Sequence, residues 1–536
     1  MYPTPRSHRP LIMGRNGAVG ANHPLATQAG LDVLRAGGNA VDASVAISLA
    51  LGVVEPMMSG LGGDGFYHVH MARTGAALVY NGTGPAPQAA TPEAFPSGID
   101  VYGPRSVSVP GSLAALGAMH RAHGQRPWAD LLRPAIEHAT EGFAATHSYR
   151  HFALENRPRL VTDEHSRATF LDADGPPALG ALIRQPALAA TLSRIAAEGA
   201  ETFYRGAVAR LLARGLEQAG ALTAAADLAA FQPEVQPPIA VRYRGFEVRQ
   251  TPPNSTGFVL LQMLRIAEHF DLAALSPAER IHVLVEAKKI AFLERERFGA
   301  DPVFAPAPMD RLLSGEAGAA HAANISLERA ADLPLEVPEQ EAADTTYFCV
   351  VDREGNAVSG IQSINSAFGS GVTAGETGVL MNNRMAYWHL GPRHPNRLQP
   401  GKRVRHTMNA PMVFRDGNLW AVLGTPGADN QVQVNLQVLT AMIDLEADPQ
   451  TAIEMPRWTS SQPGQGANWP HEGDGALTIE SDAGEPVLAE LEARGHRLKR
   501  VGPLEGPCAM QAIRVQSNGV RMAASDTRRD GWAGAY

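Results

Sequence analysis

Residues 345–365 read TTYFCVVDREGNAVSGIQSIN, and the prediction of the fold class begins with this stretch. It consists of two runs of β-branched and apolar residues around the turn-forming sequence DREGN, so it predicts a β-hairpin. The same pattern returns at 411–425 around Asp-Gly-Asn and at 509–525 around Asn-Gly. Helical periodicity at 430–444 and 485–494 lies between the hairpins. Hairpin sheets with packed helices predict a layered α+β fold.

The residues before this hairpin are dominated by helical patterns. From Pro24 to about Pro56 the apolar residues recur at helical spacing, with a break at Gly-Gly and a new start at Asn39, which predicts two packed helices with Asn39 as an N-cap. We expect a helical layer from about 112 to 300. The Pro-, Ala- and acid-rich stretch of about 300–344 predicts a mobile linker.

Length and composition exclude several classes of protein. A chain of 536 residues buries a core without disulfide or metal staples. A net charge of -8 argues against a nucleic-acid partner or an anionic membrane surface. Two cysteines, Cys349 and Cys508, cannot form a disulfide framework or a thiolate zinc site. With no signal-peptide pattern and no apolar run of membrane-spanning length, we expect a soluble cytoplasmic protein.

A Gly-x-Gly-x-x-Gly match at 60–65 suggests a dinucleotide site, but its context does not fit. That fingerprint requires a strand before it and a helix after it, because the helix N-terminus holds the pyrophosphate. Here a helical pattern precedes and the strand-like FYHVHMA follows. We therefore interpret the glycines as a tight turn that brings the backbone close to another segment.

Metal chemistry finds little support in the sequence. His68 and His70 have the i, i+2 spacing of two ligands on one strand face, but a third ligand is missing at a diagnostic spacing. We interpret both as surface or core histidines. We expect neither a metal nor a cofactor.

The junction between Asp344 and Thr345 is the remaining candidate for chemistry. If this bond is cut, Thr345 becomes an N-terminal residue whose α-amine, with a pKa near 8, serves as general base for its own hydroxyl. Threonine is also a common strand residue. The junction alone therefore leaves open a strand that merely begins with threonine.

Several long motifs resemble the γ-glutamyltranspeptidase family. The run from 345 to 385 resembles the start of the family's small subunit, and the stretch 26–66 resembles its N-terminal region. The segments PNRLQPGKRVRHTMNAPMV (395–413) and LGTPGADNQ (423–431) follow in the family's order. The resemblance implies a four-layer αββα fold of the N-terminal-nucleophile type. It also implies a precursor that cuts itself into a large segment, 1–344, and a small segment, 345–536, which share one core.

The resemblance also implies the roles of the catalytic residues. Thr345 matches the nucleophile, and Ser363 and Asn365 match the two residues that hydrogen-bond around it. Gly427 and Ala428 take the place of a Gly-Gly pair whose backbone N–H groups act as an oxyanion hole. The change from glycine to alanine need not remove those donors.

The substrate end departs from the family pattern. Asn81 replaces the arginine that pairs the α-carboxylate of a γ-glutamyl group, and Tyr387 replaces the acid that holds its α-ammonium. Thr407-Met408 replaces a Ser-Ser pair, so one hydroxyl is kept. New in this region are His406 and Arg384, and Arg384, if it points inward, would favour an acyl group that carries a carboxylate.

These departures predict an amide hydrolase of this family with altered acyl specificity, acting on the amide of a small acid. Amidohydrolases of oxamate type and cephalosporin-acylase-like members are relatives of this kind. An ordinary γ-glutamyltransferase and glutathione hydrolase is the first alternative, and an unprocessed, non-catalytic binding homologue is the second. The expected partners are a small-molecule amide and the two self-cleaved fragments, associated as a heterodimer. A dimer of heterodimers is left open.

Overall fold

The computed structural model describes residues 7–173, 175–333 and 344–536. Its strands are β1 (Ile12–Gly14), β2 (Ala18–Ala21), β3 (Asp64–Met71), β4 (Ala76–Asn81), β5 (Phe143–Ala144), β6 (Leu182–Ile183), β7 (Glu234–Gln236), β8 (Ile239–Tyr243), β9 (Phe246–Gln250), β10 (Asp344–Val351), β11 (Ala357–Asn365), β12 (Met412–Arg415), β13 (Asn418–Gly424), β14 (Trp458–Ser460), β15 (Leu477–Glu480), β16 (Leu498–Val501), β17 (Gln511–Val515), β18 (Arg521–Ser525) and β19 (Trp532–Ala535).

Its α-helices are α1 (Pro24–Arg35), α2 (Ala40–Val54), α3 (Ser112–His123), α4 (Trp128–Glu141), α5 (His147–Glu155), α6 (Arg157–Leu160), α7 (Glu164–Phe170), α8 (Pro186–Glu198), α9 (Thr202–Arg205), α10 (Ala207–Ala219), α11 (Ala225–Ala230), α12 (Gly257–Ala267), α13 (Pro277–Phe298), α14 (Met309–Leu312), α15 (Gly315–Ala322), α16 (Gln431–Asp444), α17 (Pro449–Glu454) and α18 (Glu485–Ala493).

Two seven-stranded sheets form the centre of this mixed α and β structure. The first has the order β19-β2-β10-β11-β3-β4-β7, and the second has the order β1-β18-β17-β13-β12-β9-β8. Neighbouring strands are antiparallel throughout both sheets. Each sheet combines strands from before and after the 344–345 junction.

Apolar side chains from the two sheets share one buried cluster, which includes Phe66 and Tyr347 of the first sheet and Met412 and Ile513 of the second. The other face of the first sheet contributes to a cluster with α1, α2, α3 and α4, and the second sheet contributes to a cluster with α12, α13 and α16. Burial of apolar surface on both faces of each sheet is the main stabilising term for this arrangement.

Most local predictions around the deciding hairpin are confirmed. Strands β10 and β11 pair as a hairpin, as do β12 with β13 and β17 with β18. Helix α2 begins after Asn39, whose side chain accepts hydrogen bonds from the N–H groups of Val41 and Asp42. The Asp42 side chain accepts from the Asn39 N–H in return, which completes a capping box.

The expected helical layer of about 112–300 is interrupted by strands. Strands β8 and β9 form a hairpin through the turn at Arg244 and Gly245, and β9 joins the second sheet beside β12. Buried and partly buried residues alternate along β9, which is the period of a strand. The helical reading of the whole stretch missed this short alternation.

The glycine turn at 60–65 joins α2 to β3, as the tight-turn interpretation predicts. Gly62 pairs with Met381 in an isolated bridge, and a Cβ at Gly62 would overlap the carbonyl oxygen of Leu380. The turn therefore brings two backbones into contact.

The stretch predicted to be a linker carries α14 and α15 in its first part. Residues 334–343 of that stretch lie outside the described residues, and mobility of the linker stays a prediction.

Candidate active site

Thr345 lies at an irregularity in the ladder between the central strands β10 and β11. Asp344 pairs with Asn365 and Thr346 pairs with Gln362, so the register shifts at Thr345. One residue of β10, Thr345, therefore lies opposite two residues of β11, Ser363 and Ile364, so the extra residue of this bulge is on β11. Thr345 is buried, with 2% of its surface exposed. The bulge therefore places the predicted nucleophile opposite the end of β11, which carries Ser363 and Asn365.

Ser363 has a hydroxyl whose acceptor positions are both occupied. Its Oγ accepts a hydrogen bond from the Asn365 backbone N–H at 2.8 Å and from Nη2 of Arg384 at 3.0 Å. A hydroxyl has two acceptor lone pairs and one donor hydrogen. The Ser363 hydroxyl is thereby directed to act as a donor.

Asn365 has a side-chain amide held in one orientation. Its Nδ2 donates to the Asn383 carbonyl at 3.0 Å and to Oδ1 of Asn468 at 2.8 Å, while its Oδ1 accepts from Nη1 of Arg384 at 3.2 Å. If the amide were flipped, its NH₂ group would face Nη1 of Arg384, and two hydrogen-bond donors would oppose each other. The backbone of Asn365 has a φ of 81°, a conformation that few residues other than glycine and asparagine adopt.

Asp64 is a site residue that the sequence did not reveal. It opens β3 directly opposite Ser363, and its Oδ2 lies 3.0 Å from Nε of Arg384. Both side chains are buried. One sequence signal could have found Asp64: it is an acid at the end of a glycine-rich turn that leads into a buried strand. A carboxylate buried there requires a cationic partner.

His406 completes this buried cluster as a neutral residue. Burial, followed by the adjacent charge of Arg384, lowers the pKa of His406 to about 4. Its Nδ1 accepts from the Met408 N–H at 3.2 Å, and its Nε2 donates to Oδ2 of Asp64 at 3.4 Å. Burial opposes ionisation of Asp64, but His406 and Arg384 outweigh it and hold the carboxyl pKa below its ordinary value.

The predicted acyl-binding residues adjoin this cluster. The Tyr387 ring centroid lies 4.4 Å from Cζ of Arg384, and the Tyr387 hydroxyl lies 3.2 Å from Oγ1 of Thr407. Burial raises the pKa of the Tyr387 phenol, so it is neutral at physiological pH. The next residue, Met408, is buried in the cluster between the two sheets.

Asn81 joins the cluster through a second set of hydrogen bonds. Its Oδ1 accepts from the N–H and hydroxyl of Thr83, and its Nδ2 donates to Oδ1 of Asn254 at 3.0 Å. The following Gly84 donates its N–H to Oδ1 of Asp64 at 2.8 Å. The structure thus brings Asn81 and Arg384 to one buried polar region.

Gly427 and Ala428 occupy the turn that leads into α16. Their φ angles are 123° and 48°, and a Cβ at Gly427 would overlap Sγ of Cys508. Ala428 begins a short 3₁₀ turn, where the first N–H groups lack intrahelical partners. Ala428 also shares an apolar cluster with Tyr387. A positive φ at an alanine is strained by roughly 1–3 kcal/mol and is typical of a functional turn.

The histidines of β3 are core residues. His68 is fully buried with its Nδ1 at 2.9 Å from the Ala410 carbonyl, and His70 packs against Phe414. In the described part of the chain, two other groups place three potential metal ligands together: one comprises His282, Glu286 and His496, and the other comprises Glu296, His389 and His394. The sequence did not suggest either group, because each joins residues far apart in the chain.

Among the residues that the structure describes, none of the helices has both the length and the apolar character that a membrane crossing needs.

Comparison with known proteins shows the family to which the chain belongs. Residues 26–536 match the family model described as gamma-glutamyltranspeptidase. The chain is 36% identical to the glutathione hydrolase-like YwrD proenzyme of Bacillus subtilis, over 97% of this chain and 99% of that protein. It is 33% identical to the oxamate amidohydrolase proenzyme of Klebsiella pneumoniae, over 97% and 98% respectively.

A solved structure extends the similarity to the whole fold. The cephalosporin acylase from Bacillus halodurans superposes with a TM-score of 0.90 at 32% identity, covering all of this chain and 98% of that one. The family match spans most of the chain, and the relatives are matched over nearly their full length. The chain therefore belongs to the gamma-glutamyltranspeptidase family and is an N-terminal-nucleophile amidohydrolase of that family.

Proposed function

We propose that this chain is a precursor that cuts itself between Asp344 and Thr345 and then hydrolyses the amide of a small acid through an acyl-enzyme on Thr345. The observation that carries the proposal is the place of Thr345 in the centre of the first sheet, opposite the bulge of β11 that contains Ser363 and next to the pair of Asp344 with Asn365. A buried hydroxyl at this place, next to oriented polar partners, suits an activated nucleophile. The four-layer αββα arrangement is part of the proposal, supported by the apolar cluster that the two sheets share.

Self-cleavage begins when Oγ1 of Thr345 attacks the carbonyl carbon of Asp344. The C–N bond to Thr345 breaks, the nitrogen takes the hydroxyl proton, and an ester joins the two residues. Water then hydrolyses the ester, which leaves a carboxylate on Asp344 and a free α-amine on Thr345. The two fragments stay together as a heterodimer, because both sheets contain strands from each fragment.

Amide hydrolysis uses the same hydroxyl. The free α-amine of Thr345 takes the proton of Oγ1 as the oxygen attacks the substrate carbonyl, and it returns a proton to the leaving amine. Ser363 donates a hydrogen bond at the nucleophile, and Asn365 holds the amine. The N–H groups of Gly427 and Ala428 stabilise the oxyanion, and water releases the acid in a second, equivalent cycle.

The acyl group lies against Asn81, Tyr387, Thr407 and Met408, close to Arg384. Asn81 and Tyr387 are buried and neutral, so these two residues supply neither a cation nor an anion for a γ-glutamyl head. The charge of Arg384 is already paired with Asp64. A preference of Arg384 for a carboxylate-bearing acyl group stays a prediction. The name of the Klebsiella pneumoniae relative supports a small acid.

The ordinary γ-glutamyltransferase alternative is supported by the name of the Bacillus subtilis relative. It requires other residues to bind the charged head of the glutamyl group. A non-catalytic homologue is disfavoured because Thr345, Ser363 and Asn365 are all present.

The acyl-enzyme can be trapped to test the proposal. Purified protein is mixed with a panel of small-acid p-nitroanilides, quenched in acid and digested with trypsin, which releases residues 345–353 as one peptide. We expect this peptide to gain the mass of the acyl group during turnover, and Thr345→Ala to give no adduct and no product. Release of p-nitroaniline with the adduct on a different peptide would contradict the proposal.

A further inference from the structure

The guanidinium of Arg384 bonds to both residues that surround the predicted nucleophile. Nη2 donates to Oγ of Ser363 and Nη1 donates to Oδ1 of Asn365, while Nε faces Asp64. Within the described residues, three of its five N–H groups are committed in this way. The two nitrogens at the end of the side chain thus face Ser363 and Asn365, which lie on the strand paired with that of Thr345.

We propose that Arg384 is a positioning residue that acts through Ser363 and Asn365, and that Asp64 is the counter-ion that holds it in place. This inference rests on the proposed function, because it assigns Ser363 and Asn365 to the nucleophile Thr345. It adds a residue pair, Asp64 and Arg384, to the machinery of both self-cleavage and amide hydrolysis.

The guanidinium of Arg384 fixes the direction of the hydrogen bonds around it. A guanidinium only donates, so it forces Oγ of Ser363 and Oδ1 of Asn365 to accept. Ser363 also accepts from the Asn365 N–H, so its own proton must point away from Arg384 as a donor. A lysine or a glutamine at 384 would not impose both constraints at once, because only arginine has a planar, fork-like set of donors.

Asp64 lies beside Ser363 in the first sheet. Asp64 and Ser363 are directly paired across β3 and β11, so their side chains project from the same face of the sheet. Arg384, in the 3₁₀ turn Arg384–Tyr387, spans both of them. Asp64 therefore fixes the guanidinium relative to the strand that carries its targets.

Asp64 and Arg384 form a buried pair of opposite charges. Charged groups buried at this depth are costly to desolvate, and replacing a buried ion pair by well-packed apolar residues is often neutral or stabilising. His406 and Tyr387, which lie beside Asp64 and Arg384, add no charge to this ion pair, because both are neutral at physiological pH. A charge pair is retained where a fixed donor geometry is needed.

A double-mutant cycle tests whether Arg384 acts through Ser363. Four proteins are compared: the unchanged chain, Arg384→Lys, Ser363→Ala, and the double variant. Self-cleavage of the precursor is followed on denaturing gels, and kcat and KM are measured with one small-acid anilide. We expect Arg384→Lys to lower the self-cleavage rate and kcat by about ten- to hundredfold. We expect KM to stay within about threefold of its original value.

The decisive result is the factor by which Arg384→Lys lowers the self-cleavage rate and kcat when Ser363 is already alanine. We expect this factor to be less than about threefold, because the interaction partner of Arg384 is gone. The inference would be overturned if Arg384→Lys lowered these rates by the same factor with Ser363 and with Ser363→Ala. It would also be overturned if Arg384→Lys changed KM alone. Asp64→Asn provides a second variant with the same expected pattern if Arg384→Lys does not fold.

A matched control separates positioning from general burial of an arginine. Arg457 is equally buried and pairs with Asp526 at 2.7 Å, and the proposed machinery does not include it. Arg457→Lys should leave kcat and the self-cleavage rate unchanged. If the unchanged chain neither cleaves itself nor hydrolyses amides, the proposed function fails. If it does both and Arg384→Lys is equally fast, only the inference about Arg384 fails.

Discussion

Nε of Arg384 lies 3.0 Å from Oδ2 of Asp64, and both side chains are buried in the centre of the molecule. Asp64 precedes the predicted cleavage junction and Arg384 follows it. The ion pair therefore joins the two fragments that self-cleavage would produce, directly beside Ser363.

Arg384→Ala should destabilise the protein strongly. The substitution leaves the Asp64 carboxylate buried without its cation, which typically costs about 3–5 kcal/mol. Asp64→Asn combined with Arg384→Gln removes both charges and should cost less than the single substitution. Urea unfolding of Thr345→Ala precursors carrying these changes measures the difference. A double variant less stable than Arg384→Ala would show that the pair is not the cause.

The elements that could be predicted from the sequence are those fixed by local signals. The Asn39 cap, the helices around it and the hairpin of β10 and β11 each depend on residues within one short stretch. The strands at β8 and β9 were missed because their alternation is brief and lies within a long helical region.

The site residues were only partly predictable. Thr345, Ser363 and Asn365 came from motifs along the chain, and the structure brings them to neighbouring positions on paired strands. Asp64 could not be predicted as the partner of Arg384, because the two are 320 positions apart and no local pattern links them. A contact between residues far apart in the chain is a tertiary property that periodicity does not encode.

γ-Glutamyl compounds should be poor substrates. A γ-glutamyl head carries one carboxylate and one ammonium, and each charge-assisted hydrogen bond is worth about 1.5–3 kcal/mol. Asn81 and Tyr387 replace both partners, so kcat/KM for γ-glutamyl-p-nitroanilide should be roughly two to four decades below that of a small-acid anilide. Steady-state kinetics on both substrates measures the ratio.

The complementary variant is Asn81→Arg with Tyr387→Asp, which should raise γ-glutamyl activity if both positions face the acyl group. Hydrolysis of glutathione by the unchanged enzyme with ordinary efficiency would support the transferase alternative instead.

Stability should fall as the pH drops from about 6.5 toward 4. Burial lowers the pKa of His68 and, with Arg384, that of His406 to about 4. Between these pH values the unfolded chain binds a proton at each histidine while the native chain does not, so each contributes a loss of up to about 1.4 kcal/mol per pH unit. Full stability is retained above pH 6.5. Urea midpoints across this range test the slope, and His68→Gln should reduce it, whereas a flat profile would argue against neutral buried histidines.

Chelators should leave activity unchanged. The proposed mechanism on Thr345 uses no metal, and the ring nitrogens of His282 already form hydrogen bonds with the Ser326 carbonyl at 2.7 Å and with Nε2 of His496 at 2.8 Å. Activity is measured before and after dialysis against EDTA, with a mock-dialysed sample as the control. A loss that zinc restores would contradict this expectation and point to one of the two histidine–glutamate groups.

Thr345→Ser should cleave itself more slowly than the unchanged chain. The hydroxyl survives, but the methyl group that restricts its rotamer is lost. A time course of precursor on denaturing gels compares the two rates. Faster cleavage by serine would argue against an oriented threonine hydroxyl.

N-terminal sequencing of the purified protein shows whether the chain cuts itself before Thr345. We expect the 56.9 kDa chain to separate on a denaturing gel into fragments of about 36–37 kDa and about 20 kDa. The smaller fragment should begin TTYFCV, and Thr345→Ala should remain a single inactive chain. A purified enzyme that hydrolyses amides while it remains one uncut chain, or whose smaller fragment begins at another residue, would contradict the account.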